Sequence, residues 1–349
     1  MASSIGQRKA DHIALCATGD VGFREQTTLL EGVRFIHNAL PDLNVDALDL
    51  SVSLLGKTLR APIVIAAMTG GTDEAGTINR QLATIAEQRG YAFGLGSQRA
   101  MHKRGEVAST YRVRDVAPST LILGNLGLVQ ARDLRTEQVA ALVSDIGANA
   151  LCVHLNPAME LIQEDGDRDF TGGLKAIERL VRELPYPVIV KETGCGISKD
   201  VGVRLRSIGV EHVDVSGAGG TSWVAVETKR AESEGARGLG ELLREWGVPT
   251  AVSTGWMSSL GFTSVIATGG IGNGLDAARA LALGASAVGI ARPVLQALVR
   301  GGEKEAHAFL DGVERSIRAV MLLTGSSHVA ALRKAPRVLS MELERWLSV

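Results

Sequence analysis

FTSVIATGGIGNG, Phe262 to Gly274, decides the fold. An apolar run rich in Val and Ile ends in a glycine loop. The loop opens a helical pattern, LDAARALALGA from Leu275, and a second apolar run, SAVGIARP from Ser286, follows. Strand, glycine loop, helix, strand is the unit of a parallel α/β fold. The layout recurs upstream. PIVIAAMTGG starts at Pro62, YAFGLGSQR at Tyr91 and TLILGNLG at Thr120. ALCVHLN starts at Ala150, PVIVKETG at Pro187 and EHVDVSGAGGT at Glu211. Together these predict eight strand–helix units and an α/β (β/α)8 TIM barrel, whose chemistry belongs on the loops after the strands.

Residues 1–349 read as a single domain. Residues 1–60 are an irregular N-terminal arm, 61–300 the barrel and 301–349 C-terminal helices broken at Gly325 and Pro336. Helices are expected over Glu74 to Arg89, from Thr136 as N-cap, around Leu174 to Val181, from Ser198, and over Leu275 to Leu283. The long stretch from Gly217 to Pro249 is expected to hold an irregular segment and a helix ending near Trp246.

Bulk properties narrow the function. The 349 residues suit one large barrel. Formal net charge is -1, which gives no bias toward nucleic acid or an anionic membrane surface. No apolar run is long enough to span a bilayer. The 3 cysteines, Cys16, Cys152 and Cys195, are scattered and form no CxxC pair, which favours a reducing compartment. The N-terminus lacks the apolar core of an export signal, so a cytoplasmic location is expected.

Several strand ends carry candidate chemistry. The loops TGGIGNG and GIARP, after strands seven and eight, form a phosphate-site layout in which amides and a helix N-terminus face an anion. Lys191 ends strand five and should point into the barrel mouth. Its partner there is a carbonyl, a phosphate or a flavin ring, or else Glu192 or Glu160 as an ion pair. Asn125 can donate and accept toward a planar heterocycle. Ser97, Gln98 and Arg99 bring a hydroxyl, an amide and a guanidinium together, the last suited to bidentate phosphate contact. His154, Asn156 and Glu160 form a polar cluster after strand four, where Glu160 could share Mg²⁺ with a substrate phosphate. Glu164 to Asp169, EDGDRD, superficially suggests calcium. It lacks the length and terminal glutamate of an EF-hand and reads as a solvated turn.

RKADHI, HNALP, AMTGG, GSQR, GNLG, HLNPA, GDRDF, VKETG, VSGAGGTSW, TGGI, NGLDAARALALGA and GIARP, in this order, closely resemble the motifs of the type 2 isopentenyl-diphosphate isomerases. The resemblance runs from about residue 7 to beyond 330. It implies an FMN-binding barrel that interconverts isopentenyl and dimethylallyl diphosphate without net redox change. Mg²⁺ and NADPH, as flavin reductant, are implied, with assembly as a homotetramer or homo-octamer. The family's flavin-binding positions fall on Ala67, Met68, Thr69, Ser97, Asn125, Lys191, Ser216, Thr221, Gly270, Ile271, Gly272, Ala291 and Arg292. Its substrate-binding positions fall on Arg8, Lys9, Ser97, Gln98 and Arg99, with His12 nearby. Its metal glutamate falls on Glu160, and its catalytic cluster on His154, Asn156 and Met159.

Two positions depart from the family pattern. Met159 stands where the family has a glutamine, and a thioether cannot donate a hydrogen bond. Gly272 stands where the family usually has Arg or a similar residue. Three other readings compete. An FMN-dependent 2-hydroxy-acid oxidoreductase needs a histidine base and an arginine after strand six, and SGAGGTSW supplies neither. An isomerase homologue with altered or lost activity rests on Met159 alone. A phosphate-sugar barrel without flavin explains the glycine loops but not AMTGG, Asn125 and Lys191 together.

Overall fold

The computed structural model describes residues 5–349. Eight parallel strands close into a barrel. In chain order they are β1 (Ile63–Ile65), β2 (Ala92–Gly94), β3 (Leu121–Gly127), β4 (Ala150–His154), β5 (Val188–Lys191), β6 (His212–Asp214), β7 (Ser264–Thr268) and β8 (Ala287–Ile290). Each pairs in parallel with the next, and β8 closes on β1 through Val288–Ile63 and Ile290–Ile65. All eight expected strands are present.

The burial pattern explains the weak alternation of the strand sequences. Both faces are covered, one by the outer helices and one by the barrel interior. Val64, Ala92, Leu121, Leu123, Ala150, Cys152, Ile189, Ile266 and Ala287 form the inner core. Leu54 and Leu59 join it from the antiparallel hairpin Val52–Leu54 and Lys57–Leu59. The hairpin therefore plugs the N-terminal end of the barrel. Burying two leucines there contributes about 3–6 kcal/mol at the usual value per side chain. The motifs lie at the opposite, C-terminal ends of the strands.

The helices follow their apolar spacing. Asp73–Arg89 buries Ile78, Leu82, Ile85 and Ala86, is capped by the Thr72 side chain and ends on Gly90 in the left-handed conformation. Ser198 caps Lys199–Ser207 as expected. The helix Thr136–Asp145 starts differently: Arg135 is the N-cap, and the Thr136 hydroxyl donates instead to Glu183 at 2.9 Å. The Gly217–Pro249 stretch contains two helices, Trp223–Arg230 and Glu234–Leu242, rather than one.

The N-terminal arm is not irregular throughout. Ile5–Thr18 is a helix that packs on Trp223–Arg230 and on the helical segment Arg292–Leu323. Ile13 and Cys16 are its buried apolar anchors. The expectation failed because this helix turns charged residues, Arg8 and Lys9, toward the protein. Farther on, Val33–Phe35 pairs with Arg337–Leu339, so the two ends of the chain share a sheet. Arg292–Leu323 is broken by non-helical Gly301 and Gly302. Among the described residues, no helix is long and apolar enough to cross a membrane.

Candidate active site

A cavity of about 410 Å³ opens at the C-terminal end of the barrel. The loops after the strands form its floor and walls, and the helix Ile5–Thr18 forms one side through Arg8, Lys9, His12, Ile13 and Cys16. Of the flavin, substrate, metal and catalytic positions expected from the resemblance, all but Gln98 line it.

On one side the chain lies close to itself. A methyl group on Gly220 would sit 2.3 Å from the Gly270 amide nitrogen, so glycine is required for the two loops to meet. Gly270 also has φ +68, a left-handed conformation natural to glycine. Ser216 has φ 41 and is held there by its main chain: its carbonyl accepts from the Gly194 and Gly196 amides at 2.9 and 3.1 Å. Such a non-glycine conformation costs about 1–3 kcal/mol and clusters at functional sites.

The expected anion cradle is only partly free. The Asn273 side chain already accepts from the amides of Leu275 and Asp276, and the Gly272 amide donates to Asp276 at 3.2 Å. The amides of Gly270 and Ile271 make no hydrogen bond among the described residues. Nearby, Arg292 extends toward the cavity, with Nε donating to Cys16 O at 3.0 Å and Nη2 to Gly19 O at 2.6 Å. It thereby satisfies carbonyls at the end of the Ile5–Thr18 helix.

Lys191 ends β5, buried, and donates to its neighbour's carbonyl, Glu192 O. Among the described residues it forms no ion pair with the Glu192 or Glu160 carboxylate. The Glu192 carboxylate turns away and accepts from the Thr193 and Cys195 amides. Burial pushes the Glu192 carboxyl up to about 7 against those hydrogen bonds and the Lys191 charge. Asp214, opposite Lys191 in the β5–β6 register, is also raised by burial, with Lys191 the main opposing influence.

A second group surrounds Glu160, in the first turn of the helix Pro157–Ile162. Asn156 Nδ2 donates to Glu160 Oε1 and the Asp167 amide to Oε2, both at 2.7 Å. Both oxygens are thus oriented while lone pairs remain for a cation. Arg99 Nη1 lies 3.3 Å from Asp167 Oδ2, and Gln130 Nε2 donates to the same oxygen at 3.0 Å. Arg168 Nη1 and Nη2 donate to the carbonyls of Glu160 and Gln163. The EDGDRD stretch is therefore not simply a solvated turn. Glu164, Asp165 and Asp169 are exposed, but Asp167 is half-buried and belongs to the site.

Arg8 Nη1 donates to Gln163 Oε1 at 2.9 Å. Lys9 is half-buried, and burial first and Arg8 second pull its ammonium down to about 8. His12 is engaged elsewhere: Nε2 meets Glu227 Oε1 at 2.6 Å, and the ring packs edge-on against Trp223 at 5.1 Å. Burial raises the Glu227 carboxyl, but His12 and Arg230 outweigh it and hold it below its ordinary value. This pair, with Arg230 to Asp11 at 3.1 Å, ties the arm helix to Trp223–Arg230.

His154 hangs from β4. Its Nδ1 lies 2.9 Å from Asn125 Oδ1, and burial, then Lys191, Lys9 and Arg99, push the imidazole down to about 3. Gln98 is not in the cavity. Its side chain is fully buried behind the wall, donating to Leu142 O at 2.8 Å and accepting from the Asn125 amide at 3.1 Å.

Sequence reasoning missed Asp167, Gln130, Glu227 and Trp223. Asp167 was in view but lacked a visible partner. The others sit inside helices, where their types alone carry no signal.

The residues fit a phosphorylated planar cofactor: glycine loops with free amides at one end, Lys191 and Asn125 at the other, and a buried Thr69 hydroxyl without a partner in the same wall. The comparisons agree. The family model of FMN-dependent dehydrogenases matches residues 2–165 and 154–339. The isopentenyl-diphosphate delta-isomerase of Methanothermobacter thermautotrophicus is 43% identical, over 99% of this chain and 96% of that protein. The protein of the same name from Synechococcus is 46% identical, over 95% and 96%. That of Pyrococcus abyssi is 41% identical, over 97% and 94%. Among solved structures, a flavocytochrome b2 mutant superimposes with TM-score 0.69 at 20% identity, covering 97% of this chain and 84% of its own. A mandelate oxidase mutant does so with TM-score 0.65 at 18%, covering 93% and 95%. At those identities the likeness concerns the fold. The chain belongs to the FMN-dependent dehydrogenase family and, within it, to the type 2 isopentenyl-diphosphate delta-isomerases.

Proposed function

We propose that this protein interconverts isopentenyl and dimethylallyl diphosphate, using reduced FMN and Mg²⁺, with NADPH as the flavin reductant. One observation carries the reading. Arg8, Lys9 and Arg99 converge with Glu160 on the same cavity that holds the glycine loops, Asn125 and Lys191. An anion grip and a cofactor cradle share one space.

The reaction shifts a double bond by one position. One carbon gains a proton and another loses one, with no net redox change. When bound, the flavin supplies an electron-rich ring that can exchange protons and stabilise positive charge on the alkene. Lys191 and Asn125 would hold it, with Gly270, Ile271, Ser216 and Thr221 toward its phosphate end. Arg8, Lys9 and Arg99 would neutralise the diphosphate, and Glu160 would hold a Mg²⁺ ion that adds further positive charge beside it. That remote grip orients a small apolar tail that offers the protein little else to hold. Trp223, Ile13 and Met159 give the tail an apolar wall. His12, clamped by Glu227, keeps the arm helix in place so that Arg8 and Lys9 stay over the opening.

The test is anaerobic turnover of isopentenyl diphosphate with FMN, Mg²⁺ and NADPH, against an oxidised-flavin control. Dimethylallyl diphosphate formed only with reduced flavin is the expected result. A protein that binds and reduces FMN yet makes no product sinks the reading.

A further inference from the structure

We infer that Gln296 is a positioning residue for the diphosphate grip: it clasps the C-terminal end of the helix Ile5–Thr18 and so fixes where Arg8 and Lys9 stand. This rests on the reading of Arg8 and Lys9 as an anion grip.

A helix leaves its last carbonyls without intrahelical partners. In Ile5–Thr18 the Leu15 carbonyl is closed locally by the Gly19 amide at 2.8 Å. The chain then turns away, and among the described residues no main-chain amide reaches Cys16 O or Ala17 O. Both carbonyls are satisfied from another element. Arg292 Nε donates to Cys16 O at 3.0 Å, Arg292 Nη2 to Gly19 O at 2.6 Å, and Gln296 Nε2 to Ala17 O at 3.2 Å. A carbonyl only accepts, so the Gln296 atom that faces Ala17 is the amide nitrogen. Arg292 and Gln296 stand one helical turn apart in the segment after β8 and share a face. That face caps the arm helix from outside, with a positive charge where the helix dipole is negative.

The clasp does what the other anchor does not. His12 to Glu227 at 2.6 Å and Asp11 to Arg230 at 3.1 Å tie the middle of the arm helix to Trp223–Arg230, after β6. A rod pinned only at its middle can pivot, and a pivot moves the N-terminal turns, where Arg8 and Lys9 line the cavity. The clasp holds the far end, about 12 Å from those two residues at the usual rise of a helix. Anchors on two different barrel loops fix the direction of the helix as well as its place. Of the two clasping residues, Arg292 is also an expected flavin-binding position. Gln296 carries no charge and no such second duty. Changing it loosens the arm without altering the charges that would meet FMN or diphosphate.

The experiment is hydrogen exchange of the FMN-loaded protein, read by mass spectrometry over residues 5–18, beside calorimetric titration with inorganic pyrophosphate. In Gln296→Leu, which donates nothing, the arm amides should exchange faster by roughly two- to tenfold, the range for one lost hydrogen bond. Exchange in the barrel strands and FMN content should stay as in wild type, and pyrophosphate should bind more weakly by a similar factor. Gln296→Ala serves with the same expectation if the leucine variant does not fold. Gln296→Lys keeps a donor at the helix end and should stay nearer to wild type on both counts. A merely structural Gln296 would lower the melting temperature without singling out the arm. Unchanged arm exchange in Gln296→Leu overturns the inference, as does faster exchange with unchanged pyrophosphate affinity, or a lysine variant as loose as the leucine one. A wild type that binds no pyrophosphate counts instead against Arg8 and Lys9 as an anion grip, and the exchange result alone then decides whether Gln296 holds the arm.

Discussion

The main-chain N–H of Asp167 donates to Glu160 Oε2 across 2.7 Å, while the Asp167 carboxylate sits 3.3 Å from the Arg99 guanidinium. One residue thus orients the candidate metal carboxylate and occupies the candidate phosphate grip. An arriving diphosphate competes with Asp167 for Arg99. In Asp167→Asn the amide to Glu160 is kept and the internal anion is removed. Inorganic pyrophosphate should then bind more tightly by about fivefold, corresponding to about 1 kcal/mol for a partly buried pair. Calorimetric titration decides it, and weaker binding would mean that Asp167 holds Arg99 in its working orientation.

Lys9 makes ligand affinity depend on pH. Burial and the neighbouring Arg8 lower its ammonium from 10.5 to about 8. Below that value the free protein already presents the cation. Above it, an anionic ligand must bring a proton with it, while Arg8 and Arg99 stay charged. Binding of isopentenyl diphosphate to the oxidised enzyme should therefore weaken above about pH 8, by up to tenfold per pH unit. Lys9→Gln should bind more weakly and lose this slope. A wild-type affinity that is flat from pH 7 to 9.5 removes Lys9 from the anion grip.

The barrel was legible because every strand ends in a motif that must leave a parallel sheet abruptly, and because an all-buried strand shows as a short run of Val, Ile and Ala. The plug hairpin had a signal that went unread: Leu55 and Gly56, both with positive φ, form the two-residue turn between its strands. The arm helix was hidden because its functional face is charged. Gln98 was placed with the binding residues because it stands between Ser97 and Arg99. A turn in the chain sends its neighbours into the cavity and Gln98 into the wall, and no local pattern records that turn. Asp167 and Glu227 act through partners distant in sequence, and sequence alone does not pair them.

Lys191 has a structural duty besides the role proposed for it toward the cofactor. Burial raises the Asp214 carboxyl, and the Lys191 ammonium moderates the rise. An acid whose folded pKa lies above its unfolded value favours folding while protonated. That advantage is lost as pH rises from the unfolded value through the folded one. Lys191→Met raises Asp214 further and widens the range of loss. The cofactor-free variant should be less stable than wild type by about 1–3 kcal/mol, the scale for a buried group losing its compensation. The deficit should be larger at pH 8 than at pH 5. Melting curves at the two pH values test this, and equal deficits would mean that Asp214 does not sense Lys191.

Met159 is the departure that bears most directly on turnover. It lines the cavity one residue before Glu160, and Gln163, one helical turn on, already accepts from Arg8. The second glutamine is therefore committed to the anion grip and is not a free replacement for the missing one. A thioether fills the space but donates nothing, so any proton path through this position is broken while apolar contact with the tail is kept. Met159→Gln should raise kcat or leave it equal and change KM by less than about threefold, because the diphosphate grip is untouched. Steady-state kinetics with reduced flavin and saturating Mg²⁺ separates the outcomes. A large fall in kcat at unchanged KM would show that the methionine, with its apolar surface against the tail, is the adapted residue and that protons in this protein travel by another route.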